Sequence, residues 1–115
     1  MLTIYHNPRC SKSRETLALL QQQSQPLQII EYLKTPPTAD ELRHLLQLLG
    51  LSARQLLRTK EDEYRQLGLA DTTLSEQQLI AAMVAQPKLI ERPVVVNGNK
   101  AVIGRPATNV LNILP

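Results

Sequence analysis

Residues 2–14 read Leu2-Thr3-Ile4-Tyr5-His6-Asn7-Pro8-Arg9-Cys10-Ser11-Lys12-Ser13-Arg14 and hold the only cysteine of the 115-residue chain. The first four residues alternate apolar and polar or amphipathic side chains, which predicts a short strand. Leu17 and Leu20 then lie on one stripe of a helix predicted over residues 11–24, and a second strand follows at residues 27–32. This order predicts a βαβ unit with parallel strands, and ligands of open α/β sheets bind at the carboxyl ends of such strands.

Cys10 is predicted to lie at the start of that helix. Unpaired N–H groups and the positive end of the helix dipole favour an anion there, so a thiolate is stabilised over a thiol. Arg9, Lys12 and Arg14 add three cations before the first acid, Glu15. Cysteines in such surroundings have lowered pKa values. We therefore predict a reactive thiolate in a pocket that attracts anions, against the alternative of a small buried apolar residue.

The composition is that of one domain built from aliphatic side chains. The net charge is +3, Phe and Trp are absent, and Tyr supplies the only three aromatic residues. There is thus no aromatic platform for stacking nucleic-acid bases, and no nucleic-acid partner is expected. One cysteine and two histidines provide neither an internal disulfide nor a zinc site at metal spacing. No signal peptide or membrane-spanning run is found in the sequence, so we expect a cytoplasmic protein without a membrane partner.

Residues 38–86 are predicted to form an all-helical insertion within this single domain of residues 1–115. Thr38 with Glu41, and Ser75 with Gln78, have the spacing of capping boxes at two helix starts. Ser52 is predicted to cap a short helix that contains Leu56, Leu57 and Arg58.

The last part of the chain returns to strands. Residues 94–96 and 101–103 flank Asn97-Gly98, which is a strong hairpin signal. A final helix is predicted to carry Val110, Leu111, Ile113 and Leu114. The predicted fold class is therefore α/β, a mixed sheet in the order β-α-β, helical block, β-β-α.

Several motifs together give the chain its resemblance to a known family. They are Ile4-Tyr5-His6-Asn7-Pro8-Arg9-Cys10 with Ser13-Arg14, then Leu56-Leu57-Arg58, Arg92-Pro93-Val94 and Gly104-Arg105-Pro106. In this order and spacing the sequence resembles the glutaredoxin-linked arsenate reductases over essentially its whole length. It differs from the best-studied branch in having Ser11-Lys12 where that branch has Gly-Thr.

The resemblance implies a thioredoxin-like fold and a reaction at one thiolate. Cys10 matches the nucleophile that attacks arsenate, glutathione then joins the arsenic, and glutaredoxin resolves the adduct and releases arsenite. Arg58, Arg92 and Arg105 match the residues that bind the oxyanion. His6 matches a histidine that influences the thiolate, and Arg14 is assigned to the same tuning role. Glutathione is a co-substrate in this scheme, no cofactor is expected to stay bound, and we expect a monomer.

Elementary chemistry gives partial support to arginine as the residue that binds the oxyanion. A thiolate and an oxyanion repel each other, so fixed cations are needed, and the planar guanidinium binds tetrahedral oxyanions through two hydrogen bonds. An arginine before a proline can also be a solvated turn residue, which is the alternative for Arg92 and Arg105. Arg58 can be an ordinary residue of its short helix, and His6 can be structural. Pro93 is a candidate for a cis peptide bond, as thioredoxin-like folds often have there.

Two rival functions remain open from the sequence. Relatives of this family act as transcription regulators that bind RNA polymerase, with a pair of cysteines as the switch, whereas this chain has one. A glutathione-dependent thiol oxidoreductase without arsenate activity is the other. The phosphatase-type arsenate reductases are excluded, because their loop has an Arg six positions after the Cys and position 16 here is Thr.

Overall fold

The computed structural model describes residues 2–114, which form two compact units. The first unit comprises residues 2–35 and 92–114, and the second comprises Pro36–Glu91. The prediction of one domain over residues 1–115 stays a prediction. No helix within the described part of the chain is long and apolar enough to cross a bilayer.

The first unit is built on a four-stranded mixed sheet with the order β2-β1-β3-β4. Its strands are β1 (Leu2–Tyr5), β2 (Leu27–Ile30), β3 (Val94–Asn97) and β4 (Lys100–Ile103). β1 pairs with β2 in parallel and with β3 antiparallel, and β3 pairs antiparallel with β4. The parallel βαβ unit and the hairpin at Asn97-Gly98 are confirmed, although β2 ends at Ile30 rather than at residue 32.

Helix α1 (Ser11–Gln21) connects β1 to β2. It ends three residues earlier than predicted, because the N–H groups of Gln22 and Gln23 bond to carbonyls three residues back and tighten the last turn. Leu20 packs in the core of this unit with Leu2 and Ile4 of β1 and with Val95. Alternate burial along β1 is what the apolar–polar pattern predicts.

The C-terminal helix of the first unit is a 3₁₀ helix, Ala107–Asn112, rather than the longer helix predicted there. It contacts α1 and buries Val110, while Ile113 joins the same core just after the helix ends. The amide of Asn97 donates to the Ile113 carbonyl at 2.6 Å and so ties this end of the chain to β3.

The regular elements of the second unit are all helical. They are α2 (Ala39–Leu49), α3 (Ala53–Leu56), α4 (Asp62–Gln66), α5 (Glu76–Ala85) and a 3₁₀ helix (Pro87–Leu89). The capping boxes at Thr38 and Ser75 are confirmed, and Ser52 forms a third. The prediction that α3 includes Leu57 and Arg58 is wrong, because Leu57 is extended and pairs with Ile90 in an isolated β-bridge.

Candidate active site

Cys10 lies at the N-cap of α1, as the sequence predicts. Its N–H donates to the Asn7 carbonyl at 3.0 Å, which closes the turn after β1, and its own carbonyl accepts the N–H of Arg14 at 3.0 Å. The thiol is half-buried. The sulfur is therefore placed at the positive end of the helix with its reactive position open, and the alternative of a fully buried apolar residue is wrong.

The surroundings of the sulfur favour the thiolate. Burial raises the pKa of Cys10, but hydrogen bonds from the Ser13 N–H, the Arg92 side chain and the Lys12 N–H, together with the Arg92 charge, lower it below its ordinary value. Backbone N–H groups of the first helical turn thus act with a guanidinium, as expected for an anion at a helix N-terminus. A nucleophilic sulfur follows from this arrangement.

A second guanidinium lies near the sulfur. Nη1 of Arg105 is 4.0 Å from Cys10 Sγ, and the same nitrogen is 3.5 Å from the Arg92 carbonyl oxygen. The hairpin explains why these two arginines meet. Val94 of β3 pairs with Ile103 of β4, so the chain just before β3 lies beside the chain just after β4. The structure therefore brings Arg92 and Arg105 together at Cys10.

The peptide bonds that precede Pro93 and Pro106 are both cis. The sequence predicts this isomer for Pro93 and gave no indication of it for Pro106. The Gly104 N–H donates to the Pro93 carbonyl at 2.9 Å, which continues the pairing of the two segments beyond the sheet.

His6 lies in a buried polar cluster, and its predicted influence on the thiolate stays a prediction. Its Nδ1 is 2.7 Å from Ser13 Oγ, and that oxygen also accepts the Asn7 N–H at 3.0 Å. His6 is 5% exposed and Ser13 is fully buried. Burial has the largest influence on the pKa of His6 and lowers it. The charge of the Glu31 carboxylate raises this pKa, and the charge of Arg14 lowers it further. The neutral imidazole is therefore the favoured form.

The Arg14 side chain stabilises the turn that contains Cys10. Its Nη1 donates to the Pro8 carbonyl at 3.0 Å, which links the first turn of α1 back to the loop before it. The charge of Arg14 lowers the pKa of His6. Any effect of Arg14 on the thiolate itself stays a prediction.

Arg58 belongs to the second unit and is held there by two carboxylates. Its Nε is 3.2 Å from Glu61 Oε1, and its Nη1 is 2.7 Å from Glu91 Oε1. The Arg58 side chain is only 17% exposed. These ion pairs fix its guanidinium within its own unit, and a role in binding substrate stays a prediction.

Sequence reasoning missed Ser13 as a functional residue. Its N–H lowers the pKa of the Cys10 thiol, and its hydroxyl is in hydrogen-bond contact with His6 and Asn7, so one residue connects both sides of the loop. The available signal was a small polar residue in the first helical turn, three positions after the cysteine, where side chains often bond to the backbone.

The comparisons with known proteins agree with this geometry. A family model described as the ArsC family matches residues 5–113. The chain is 58% identical over 112 residues to the Escherichia coli protein named Uncharacterized protein YfgD, which covers 96% of this chain and 94% of that protein. It is 50% identical over 114 residues to an arsenate reductase of Haemophilus influenzae, covering 96% and 97%.

A solved structure shows the same fold. The arsenate reductase from Vibrio cholerae superposes with a TM-score of 0.95 at 54% identity, covering 98% of this chain and 97% of that one. The expected thioredoxin-like α/β fold and the resemblance drawn from the sequence motifs are both confirmed. The chain belongs to the ArsC family.

Proposed function

We propose that this protein is an arsenate reductase that uses Cys10 as its nucleophile and takes its electrons from glutathione and glutaredoxin. The observation that carries the proposal is the pairing of a thiolate-favouring helix N-terminus with two guanidinium groups, Arg92 and Arg105, at the same sulfur. The names of its relatives point to the same substrate.

The first step, in which the thiolate attacks arsenate, depends on the cations more than the later steps do. Arsenate and a thiolate are both anions, and their repulsion at contact distance is offset only by fixed positive charge in a partly dehydrated site. Arg92 and Arg105 would bind the arsenate oxygens while the Cys10 sulfur attacks arsenic. A sulfur–arsenic bond forms, and one arsenate oxygen takes up protons and leaves as water.

The next steps reduce the arsenic by two electrons. Glutathione adds its sulfur to the arsenic of the Cys10 adduct, and a second oxygen leaves as water. A glutaredoxin thiolate then attacks the glutathione sulfur, which forms a mixed disulfide and leaves the electron pair of the broken bond on arsenic. Hydrolysis of the remaining Cys10–arsenic bond releases arsenite. With one cysteine in the chain, the resolving thiol must come from outside.

A coupled assay tests the proposal. Purified protein with glutathione, glutaredoxin, glutathione reductase and NADPH should oxidise NADPH only when arsenate is added, and Cys10→Ser should abolish the reaction. NADPH oxidation without arsenate dependence, on a mixed disulfide substrate, would indicate a general thiol oxidoreductase. Absence of turnover together with binding of RNA polymerase would indicate the regulator. Since the cytosol is where glutathione is kept reduced, we propose that the protein acts in the cytoplasm.

A further inference from the structure

A cavity of about 260 Å³ opens beside the cysteine loop, and neither Arg92 nor Arg105 lines it. It is lined by residues of two segments, the turn that includes Asn7 and Arg9, and the segment that includes Glu31, Leu33 and Lys34. Its volume is just below the usual range for small-molecule pockets, so it suits one end of a ligand rather than a whole one.

The sheet explains why these two segments meet. β1 and β2 are parallel, Tyr5 pairs with Ile30, and the His6 N–H donates to the Ile30 carbonyl at 2.8 Å. The segments that follow the two strands therefore leave the sheet side by side at its carboxyl edge, which is where open α/β sheets bind ligands.

The charges of the cavity point to a particular kind of ligand. Arg9 and Lys34 supply two cations and Glu31 supplies one carboxylate. Lys34 pairs with Glu31 at 3.5 Å, whereas Arg9 is exposed and has no carboxylate partner among residues 2–114. The cavity is thus complementary to a group that carries a carboxylate together with an ammonium, with one cation in excess.

We propose that this cavity binds the zwitterionic γ-glutamyl end of glutathione and presents the glutathione sulfur to Cys10. The inference rests on the proposed function, in which glutathione attacks the Cys10 adduct. Arg9 and Lys34 bind the α-carboxylate, and Glu31 accepts from the ammonium. Leu33, an exposed apolar residue, provides contact for the methylene groups of that arm.

The distances along the chain allow this arrangement. Arg9 directly precedes Cys10, and neighbouring Cα atoms are about 3.8 Å apart. The γ-glutamyl arm has roughly the length of two extended residues, about 7 Å, which exceeds the spacing between Arg9 and Cys10. Arg92 and Arg105 do not line the cavity, so they remain available for the oxyanion.

The test uses a reaction that needs no arsenate. The Cys10 thiolate attacks one sulfur of oxidised glutathione, forms the Cys10–glutathione disulfide and releases a glutathione thiolate. Mass spectrometry gives the rate with oxidised glutathione and with bis(2-hydroxyethyl) disulfide, which has no charge. The proteins compared are the wild type, Arg9→Gln, Lys34→Gln and the double variant, in 0.15 M salt so that long-range attraction is largely screened.

We expect the ratio of the rate with oxidised glutathione to the rate with the uncharged disulfide to fall about tenfold in the double variant, because charged hydrogen bonds to glutathione are lost. Any effect of Arg9 on the thiolate itself changes both rates alike and cancels in this ratio. Lys100→Gln removes an exposed cation at the start of β4 and should change neither rate. An equal loss with both disulfides, or no loss with either, overturns the proposal. A protein inactive towards arsenate that still shows the selective loss would refute the proposed function and leave this site standing.

Discussion

Ser13 Oγ lies 2.7 Å from Nδ1 of His6, within the first turn of the helix that begins after Cys10. Both residues are buried, and the same oxygen accepts the Asn7 N–H. The hydroxyl therefore fixes the loop before Cys10 and the turn after it in one arrangement. The Ser13 N–H also lowers the pKa of the Cys10 thiol, so the residue that fixes the loop contributes to the stability of the thiolate as well.

Ser13→Ala should destabilise the protein and impair the thiolate together. The substitution leaves His6 Nδ1 and the Asn7 N–H without their partner in a buried site, which costs about 1–3 kcal/mol. Urea unfolding measures the loss of stability, and the pH dependence of iodoacetamide labelling should move to higher pH. Ser11→Ala is the matched control, since Ser11 is an exposed residue of the same turn. Equal effects of both substitutions would contradict the role given to Ser13.

Arg92→Gln should raise the pKa of Cys10. The arginine lowers that pKa through a hydrogen bond and through its charge, and glutamine retains only a neutral donor. The midpoint of Cys10 alkylation should therefore move up in Arg92→Gln and stay in place in Lys100→Gln. Arsenate turnover should fall by about tenfold or more, because a charged partner of the oxyanion is lost as well. An unchanged alkylation profile would separate Arg92 from the sulfur.

His6 should make the protein less stable in mild acid. Its pKa is lowered in the folded state, mainly by burial, so the unfolded chain takes up this proton first as the pH falls. The contribution of neutral His6 to the free energy of unfolding is fully present above the ordinary histidine pKa of 6.5. It is lost as the pH falls through the lower pKa that His6 has in the folded protein. Urea unfolding from pH 7.5 downward should show a shallower decline in His6→Asn than in the wild type. His44→Asn, which removes an exposed imidazole, is the control. Parallel declines in wild type and His6→Asn would count against this linkage.

Gly104→Ala should be destabilising because of space and not because of backbone conformation. A Cβ at Gly104 would lie 2.6 Å from Thr16 Oγ1, 2.9 Å from Thr16 Cγ2 and 3.0 Å from Pro93 Cγ. We expect a loss of about 1–3 kcal/mol in thermal or urea unfolding, as for other overpacked sites. Thr16→Ala removes two of those three contacts, so the double variant should lose less stability than the two single variants together. Strict additivity would show that the steric account is wrong.

Arg58→Ala should reduce stability by about 1–2 kcal/mol, since it leaves two half-buried carboxylates without this cation. Arg65→Ala is the matched control, because its ion pair with Asp62 is exposed and such pairs contribute about 0.2–1 kcal/mol. If Arg58 also binds arsenate, the KM for arsenate rises in a folded Arg58→Lys variant. An unchanged KM in Arg58→Lys would assign Arg58 to stability alone.

The helices and strands follow from patterns among residues that are close together in the sequence, so they could be predicted from it. Capping at Thr38, Ser52 and Ser75 depends on residues three positions apart, and the hairpin depends on Asn97-Gly98. Cys10 at the helix start was predictable for the same reason. The wrong predictions concern the ends of helices and strands. At Leu57, for example, a β-bridge to Ile90 replaces the predicted continuation of the helix. Pairing with a residue far along the chain, outside any strand, overrides local helix propensity there.

The sequence by itself determined the order of strands along the chain, the helix starts and the identity of the candidate nucleophile, because each depends on neighbouring residues. Only the tertiary structure decided which guanidinium groups reach the sulfur and which side chain holds His6. Thr16 bonds to the Gly104 carbonyl from 88 positions away, and Arg105 approaches Cys10 from 95. Such contacts exist only after the sheet has formed, since its register fixes which distant residues share one edge.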